Sequence, residues 1–153
     1  MLFETLYRGF RDNYLLLYIR LIQASNNPKL VLSKLNKEEI SLFNTEDYLD
    51  DFSRNKFSEI NYLTKQDINL IKSFDMTSKF FKGIDLILNI INNGKVLVWG
   101  IFIDTLHRIK EELSNHGVKA EVITGATPLL EREQTINRFI NDDLDVLIKI
   151  HIL

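Results

Sequence analysis

The sequence predicts an α/β fold: a parallel sheet of about three strands with covering helices, preceded by a helical N-terminal extension. Two observations carry this. Short apolar runs at residues 95–102, 119–124 and 145–148 read as strands, and each gap between them holds an amphipathic helical pattern. Strands alternating with helices of this length are joined by right-handed crossovers, with helices covering the sheet faces. A third observation is that the chain before residue 95 looks helical and appended.

Taken in order, the apolar residues Phe3, Leu6, Tyr7, Phe10, Tyr14, Leu17, Tyr18, Leu21 and Ile22 recur in steps of three and four. This stripe predicts one long core-packing helix over 3–25. Asn26-Asn27-Pro28 should end it, because proline disfavours helix in the residue before it. Residues 36–58 alternate carboxylates with Leu42, Phe43, Tyr48, Leu49 and Phe52, which predicts short helical pieces or a mobile linker with a solvated charged face. Thr64 with Asp67 three residues on resembles a capping box, followed by an apolar face of Ile68, Ile71 and Phe74. A further helix opens near Thr77-Ser78, with Phe81, Ile84, Leu88 and Ile91 expected inward and Gly94 expected as its left-handed C′ residue. After the first strand, Asp104 is the expected N-cap of a helix burying Leu106, Ile109 and Leu113 and ending at Gly117. The last helix is expected to start with Thr127 as N-cap and Pro128 at its first position, burying Leu129, Ile136, Phe139 and Ile140.

Composition narrows the function classes. The formal net charge is -2, so bulk charge marks neither a nucleic-acid binder nor a membrane-surface protein, and any basic site must be local. Residues 35–75 hold five basic and nine acidic side chains, a net of -4. There is no cysteine, which excludes disulfides and thiolate metal sites and fits a reducing cytoplasm. Residues 1–5 lack a signal-peptide pattern, and no apolar run is long enough to span a membrane.

The stretch with chemical potential is Gly125-Ala126-Thr127-Pro128, between a strand and a helix. Ligands of open α/β sheets bind at that edge, and free amides at a helix N-terminus favour an anion such as phosphate. The same four residues also make an ordinary strand-to-helix turn. A nucleotide hydrolase needs more. Gly94-Lys95 is the one Gly-Lys pair, but Asn89 and Val96 occupy the other defining positions of a P-loop. No Asp-Glu pair follows an apolar strand, and His107, His116 and His151 are not spaced as ligands.

Several segments, taken together, resemble a known family. They are Thr77-Ser78-Lys79-Phe80, Gly94-Lys95-Val96-Leu97-Val98-Trp99, Ile123-Thr124-Gly125-Ala126-Thr127, then Arg132, Ile136 and Phe139, then Val146-Leu147-Ile148. In order and spacing they look like the C-terminal RecA-like lobe of superfamily-two helicases, similar to the Swi/Snf branch. Upstream, residues 18–23 with Asn26-Asn27-Pro28-Lys29-Leu30 resemble that branch's Leu-Arg and Asn-His-Pro-x-Leu segment, with Asn27 where histidine is usual.

The resemblance implies a partial RecA-like sheet at 77–153 and a helical extension with an acidic middle at 1–76. It implies a parent that is an ATP-dependent DNA helicase or translocase. The strand through Trp99 and Gly100 matches motif IV, and Gly125, Ala126 and Thr127 match motif IVa; both then contact the nucleic-acid backbone. ATP and magnesium belong to the parent, whose N-terminal lobe supplies the P-loop and carboxylates. The family continues past residue 148 into motif VI, so this chain is expected to be a truncated lobe, inactive alone, with residue 149 onward outside the family pattern. The expected partners are DNA, weakly, the N-terminal lobe, and a second copy through an exposed sheet edge or the N-terminal helix. The alternative is a non-catalytic interaction module or helicase remnant without nucleic-acid binding.

Overall fold

The computed structural model describes residues 2–11, 14–33, 63–74, 76–141 and 143–150; the expectations for 36–58 and for His151 lie outside them. The described chain contains α1 (Leu2–Phe10), α2 (Tyr14–Asn26), a 3-10 turn (Pro28–Leu32), α3 (Lys65–Ser73), α4 (Ser78–Ile91), β1 (Val96–Gly100), α5 (Ile103–Asn115), β2 (Ala120–Ile123), α6 (Leu129–Ile140) and β3 (Val146–Ile150). Two compact units result: one holds α1 to α3 and the first turn of α4, the other the rest of α4 and the sheet with α5 and α6.

In the first unit the expected single helix is two. The first ends at Phe10 and the second starts at Tyr14. Two helices that pack on each other bury what one rod leaves wet: Leu6 from α1 and Leu17 and Ala24 from α2 share a core with Val31, Leu63 and Ile71. The expected stripe is half right. Leu6 and Leu17 are buried, whereas Phe3, Tyr7, Tyr14 and Tyr18 are exposed. The buried set on α2 includes Leu16, Ile19, Arg20 and Gln23 instead. Arg20 is tolerated inside because its Nη1 donates to Gln23 Oε1 (2.9 Å), Leu30 O (3.2 Å) and Ser33 O (3.0 Å). These bonds tie α2 to the 3-10 turn.

Asn26 ends α2 as expected, and Asn27 caps the 3-10 turn by accepting from the Lys29 amide (3.1 Å), with Pro28 at its first position. The Thr77 hydroxyl donates to Asn26 O (3.0 Å) and Lys79 Nζ to Asn26 Oδ1 (2.9 Å), anchoring the start of α4 there. The capping box of α3 forms in full. The Asp67 amide donates to the Thr64 hydroxyl (3.1 Å) and the Thr64 amide to Asp67 Oδ2 (2.9 Å). Of its expected apolar face Ile71 is buried and Ile68 half-buried, but Phe74 is exposed.

Along α4, Phe80 (in the first unit) and Ile84 and Ile87 (in the second) are buried, whereas Phe81, expected inward, is exposed. Neighbouring phenylalanines on an apolar helix satisfy the same periodicity, and packing chooses between them. Gly94 comes after two turn residues at φ 155°, so it is not the left-handed cap expected. Gly117 is such a cap. At φ 74° it lets its own amide donate to Ser114 O and the Val118 amide to Leu113 O, both at 3.0 Å, closing α5 in a Schellman motif with Val118 and Leu113 buried.

The sheet is parallel in the order β1-β3-β2. The central strand pairs Val146, Ile148 and Ile150 with Val96, Val98 and Gly100 on one side, and Val146 and Ile148 with Ala120 and Val122 on the other. β3 runs two residues beyond the expected end, with Lys149 opposite Trp99 and Ile123. Because β2 skips a place and β3 returns to fill it, right-handed crossovers put α5 and α6 on opposite faces. Side chains agree. Phe139 of α6 packs on Ile123, Leu144 and Leu147. A Cβ on Gly100, which belongs to the other face, would meet Leu106 of α5.

The buried face expected for α6 is corrected. Leu129, Ile136 and Ile140 are exposed, Phe139 is half-buried, and Thr135 takes the inward place. The helix rests on the sheet through Thr135 and Phe139, leaving the stripe of Leu129, Ile136 and Ile140 to one side.

Two outcomes follow. Ile148→Ala, at a fully buried central position, should cost about 2–5 kcal/mol in chemical denaturation, and Phe139→Ala about 2 kcal/mol, less than for a fully buried ring; the reverse ranking would refute this placement of α6. The Thr64 hydroxyl, and then the Thr64 amide, hold the Asp67 carboxyl below its ordinary pKa. A lowered folded pKa stabilises above the ordinary carboxylate value and is lost as pH falls through the folded one. The melting-temperature gap between the parent and Asp67→Asn should therefore narrow on acidification from neutral pH; a constant gap would contradict it.

Candidate functional site

Since all three strands run the same way, their carboxyl ends, Gly100, Ile123 and Ile150, lie along one edge. Both crossover helices, α5 and α6, begin at that edge, and no side chain caps either one. Each therefore presents first-turn amides that lack intrahelical acceptors.

Two expected caps are corrected. Asp104 lies inside the first turn of α5, and Phe102 holds the cap position. For α6 the cap position is Pro128, one residue later than expected, and Thr127 serves the turn instead. The Thr127 amide donates to Thr124 O (3.2 Å), and the Thr127 hydroxyl accepts from the Thr124 amide (3.0 Å). This reciprocal pair closes a four-residue turn with Gly125 and Ala126 exposed at its tip. Arg132, on the first full turn of α6, reaches back: its Nη2 donates to Thr124 O (3.2 Å) and Thr127 O (3.3 Å).

Gly100 shares the edge but lies across the central strand from the turn, two strand spacings or about 10 Å away. Its lack of a side chain has a packing reason, since a Cβ there would lie 2.5 Å from Leu106 Cδ2. Trp99 points to the α6 face of the sheet and is half exposed, with Lys149 Nζ 5.1 Å from its ring centroid. The edge thus gathers turn amides, two helix N-termini and Arg132, with an aromatic–lysine pair on the neighbouring face. Opposing these, Asp104 and Glu131 sit in the two first turns, where they suit the helix dipoles but repel an anion. Lys149 escaped the sequence reading because it fell past the expected family boundary. Arg132 was visible only as part of a spacing pattern.

The sequence model of the helicase conserved C-terminal domain matches residues 78–153. This segment belongs to the helicase C-terminal domain family. The match runs from the start of α4 past β3, so residues from Lys149 onward belong to the family pattern, contrary to expectation. Among solved structures, the helicase domain of Hef from Pyrococcus furiosus matches with a TM-score of 0.56 at 19% identity, covering 95% of this chain and 30% of that chain. The C-terminal part of the Fun30 ATPase domain matches with a TM-score of 0.47 at 19% identity, covering 86% of this chain and 50% of that one. No curated protein sequence matches. The Hef likeness shows the RecA-like fold of the helicase domain, and the chain spans under a third of the Hef chain's length. Among the described residues no helix is long and apolar enough to cross a membrane.

The reciprocal Thr124–Thr127 pair makes a direct expectation for the helicase domain. Thr127→Val keeps the branched shape but removes the acceptor, and should cost about 1 kcal/mol in denaturant unfolding. Thr127→Ser should restore it. Equal stability of all three proteins would mean that the hydroxyl does not hold the turn.

Proposed function

We propose that the helicase domain is the nucleic-acid-tracking part of a second RecA-like lobe, belonging to an ATP-dependent DNA helicase or translocase of the Swi/Snf type. The observation that carries this reading is the carboxyl edge of the sheet, where both crossover helices start uncapped and α6 is entered through a turn with an exposed glycine tip. Amides at such positions bind phosphate oxygens without reading bases. Gly125, Ala126 and Thr127 supply the principal contact, Thr127 through its hydroxyl proton because its amide already donates to Thr124 O. Gly100 and Trp99 supply a second along the same edge, where Trp99 offers a stacking surface beside the Lys149 charge.

ATP and magnesium enter only with a partner lobe. Among the described residues no three His, Asp or Glu side chains group to hold a metal ion, and the sequence has no P-loop. No hydrolytic step is assigned to these residues. Catalysis would be assembled between lobes, leaving this chain inactive by itself.

A second reading, an interaction module without nucleic-acid binding, draws on the exposed aromatics Phe3, Tyr7, Tyr14 and Tyr18. Filter binding with single-stranded and duplex oligonucleotides at two salt concentrations separates the readings. Phosphate contacts predict weak binding that falls steeply as salt rises. Gly125→Val should reduce it about tenfold while the fold persists, because a branched side chain holds the phosphate off the amides. No binding by the folded parent at low salt would leave the interaction module.

A further inference from the structure

We propose that Arg132 is the positioning residue of this edge: it holds the Thr124–Thr127 turn in its anion-accepting form without itself touching phosphate. The inference rests on the function proposed above and adds a residue to it.

Arg132 is half-buried, and one atom, Nη2, donates to the carbonyls of both Thr124 and Thr127, at 3.2 and 3.3 Å. Those residues are the two ends of the turn, already joined by the Thr127 amide and the Thr127 hydroxyl. Thr124 O thus accepts from both the Thr127 amide and Arg132. A short turn exposes carbonyl oxygens as well as amides, and the oxygens repel an anion. A guanidinium across two of them neutralises that repulsion and fixes the amides of the tip in one arrangement before any ligand arrives. Its place on α6 matters too. The four-residue step from Pro128, marked by the Arg132 amide donating to Pro128 O (2.9 Å), aims the side chain back toward the turn that precedes the helix. Arg132 Nε is buried and has no hydrogen-bond partner among the described residues, and the side-chain bonds seen are the two from Nη2 to the carbonyls.

A role of this kind differs measurably from direct contact. A residue that pairs with a phosphate releases a counterion on binding, and its loss lowers the slope of log affinity against log salt by roughly 0.7 for a single strand. A positioning residue lowers affinity and leaves the slope alone. The experiment uses the full 153-residue chain with a single-stranded oligonucleotide, comparing the parent with Arg132→Lys and Arg132→Met. It reads binding at several salt concentrations and amide exchange at residues 124–127 without nucleic acid. Arg132→Met should bind about tenfold more weakly with a parallel salt line, and the Thr124 and Thr127 amides should exchange about tenfold faster. Arg132→Lys, with a charged donor on a shorter reach, should fall between. Arg132→Gln, which keeps one amide donor and part of the stem, replaces the methionine variant should that one unfold.

Unchanged exchange and affinity in a folded variant would overturn the inference while the proposed function stands. A reduced salt slope would make Arg132 a phosphate contact and overturn it likewise. Absence of binding by the parent overturns both, and the exchange data then assign Arg132 to the turn's stability alone.

Discussion

The second unit depends on one constraint: β3 enters the sheet between two strands laid down before it. β1 and β2 make no pairing with each other and meet only through Val146, Ile148 and their neighbours. The central strand is accordingly the most buried element, with Val146, Ile148 and Ile150 almost wholly covered. Filling the gap also reverses the direction of the second crossover, which sends α5 and α6 to opposite faces. The same arrangement brings both helix starts to the carboxyl edge. The candidate site is therefore a consequence of strand order, with no residue at the edge needed to define where the edge lies.

At that edge, local charge runs both ways. Asp104 and Glu131 suit the helix dipoles, whereas Arg132 and the backbone amides suit an anion. On the proposed reading, a site of this composition would hold a ligand through geometry more than through net charge, which agrees with a chain of net charge -2. It also places weight on whatever fixes the turn. The Thr127 hydroxyl, which accepts from the Thr124 amide, and the guanidinium of Arg132 act on the same four residues from two sides.

The first unit shows the same economy of donors around a buried charge. Arg20 lies in a segment that the family resemblance matched by spacing, and the structure gives that spacing a physical role. Its guanidinium gathers Gln23, Leu30 and Ser33, so the end of α2 and the proline-initiated turn are held by one side chain. An arginine serves there because its long stem carries one charged nitrogen, Nη1, to acceptors on α2, on the 3-10 turn and just past it.

By itself the sequence determined the alternation of strand and helix, the parallel sheet, the ends of α2 and α5, and the capping box at Thr64. Each rests on interactions within a few residues: proline after Asn27, glycine at a left-handed cap, a hydroxyl three residues from a carboxylate. It also placed the turn at Gly125 to Thr127 at a strand end. Tertiary structure alone decided which side of an apolar helix faces inward, because α2 and α4 carry apolar residues around more than one face and packing partners break the tie. That is why Phe80 displaced Phe81 and the tyrosines of α1 and α2 stayed exposed. It decided that Thr127 closes the turn rather than capping the helix, since the hydroxyl's two candidate amides differ only in backbone path. And it decided the partners of Arg132, whose two carbonyl acceptors lie five and eight residues away and come within reach only through the path of the turn into α6.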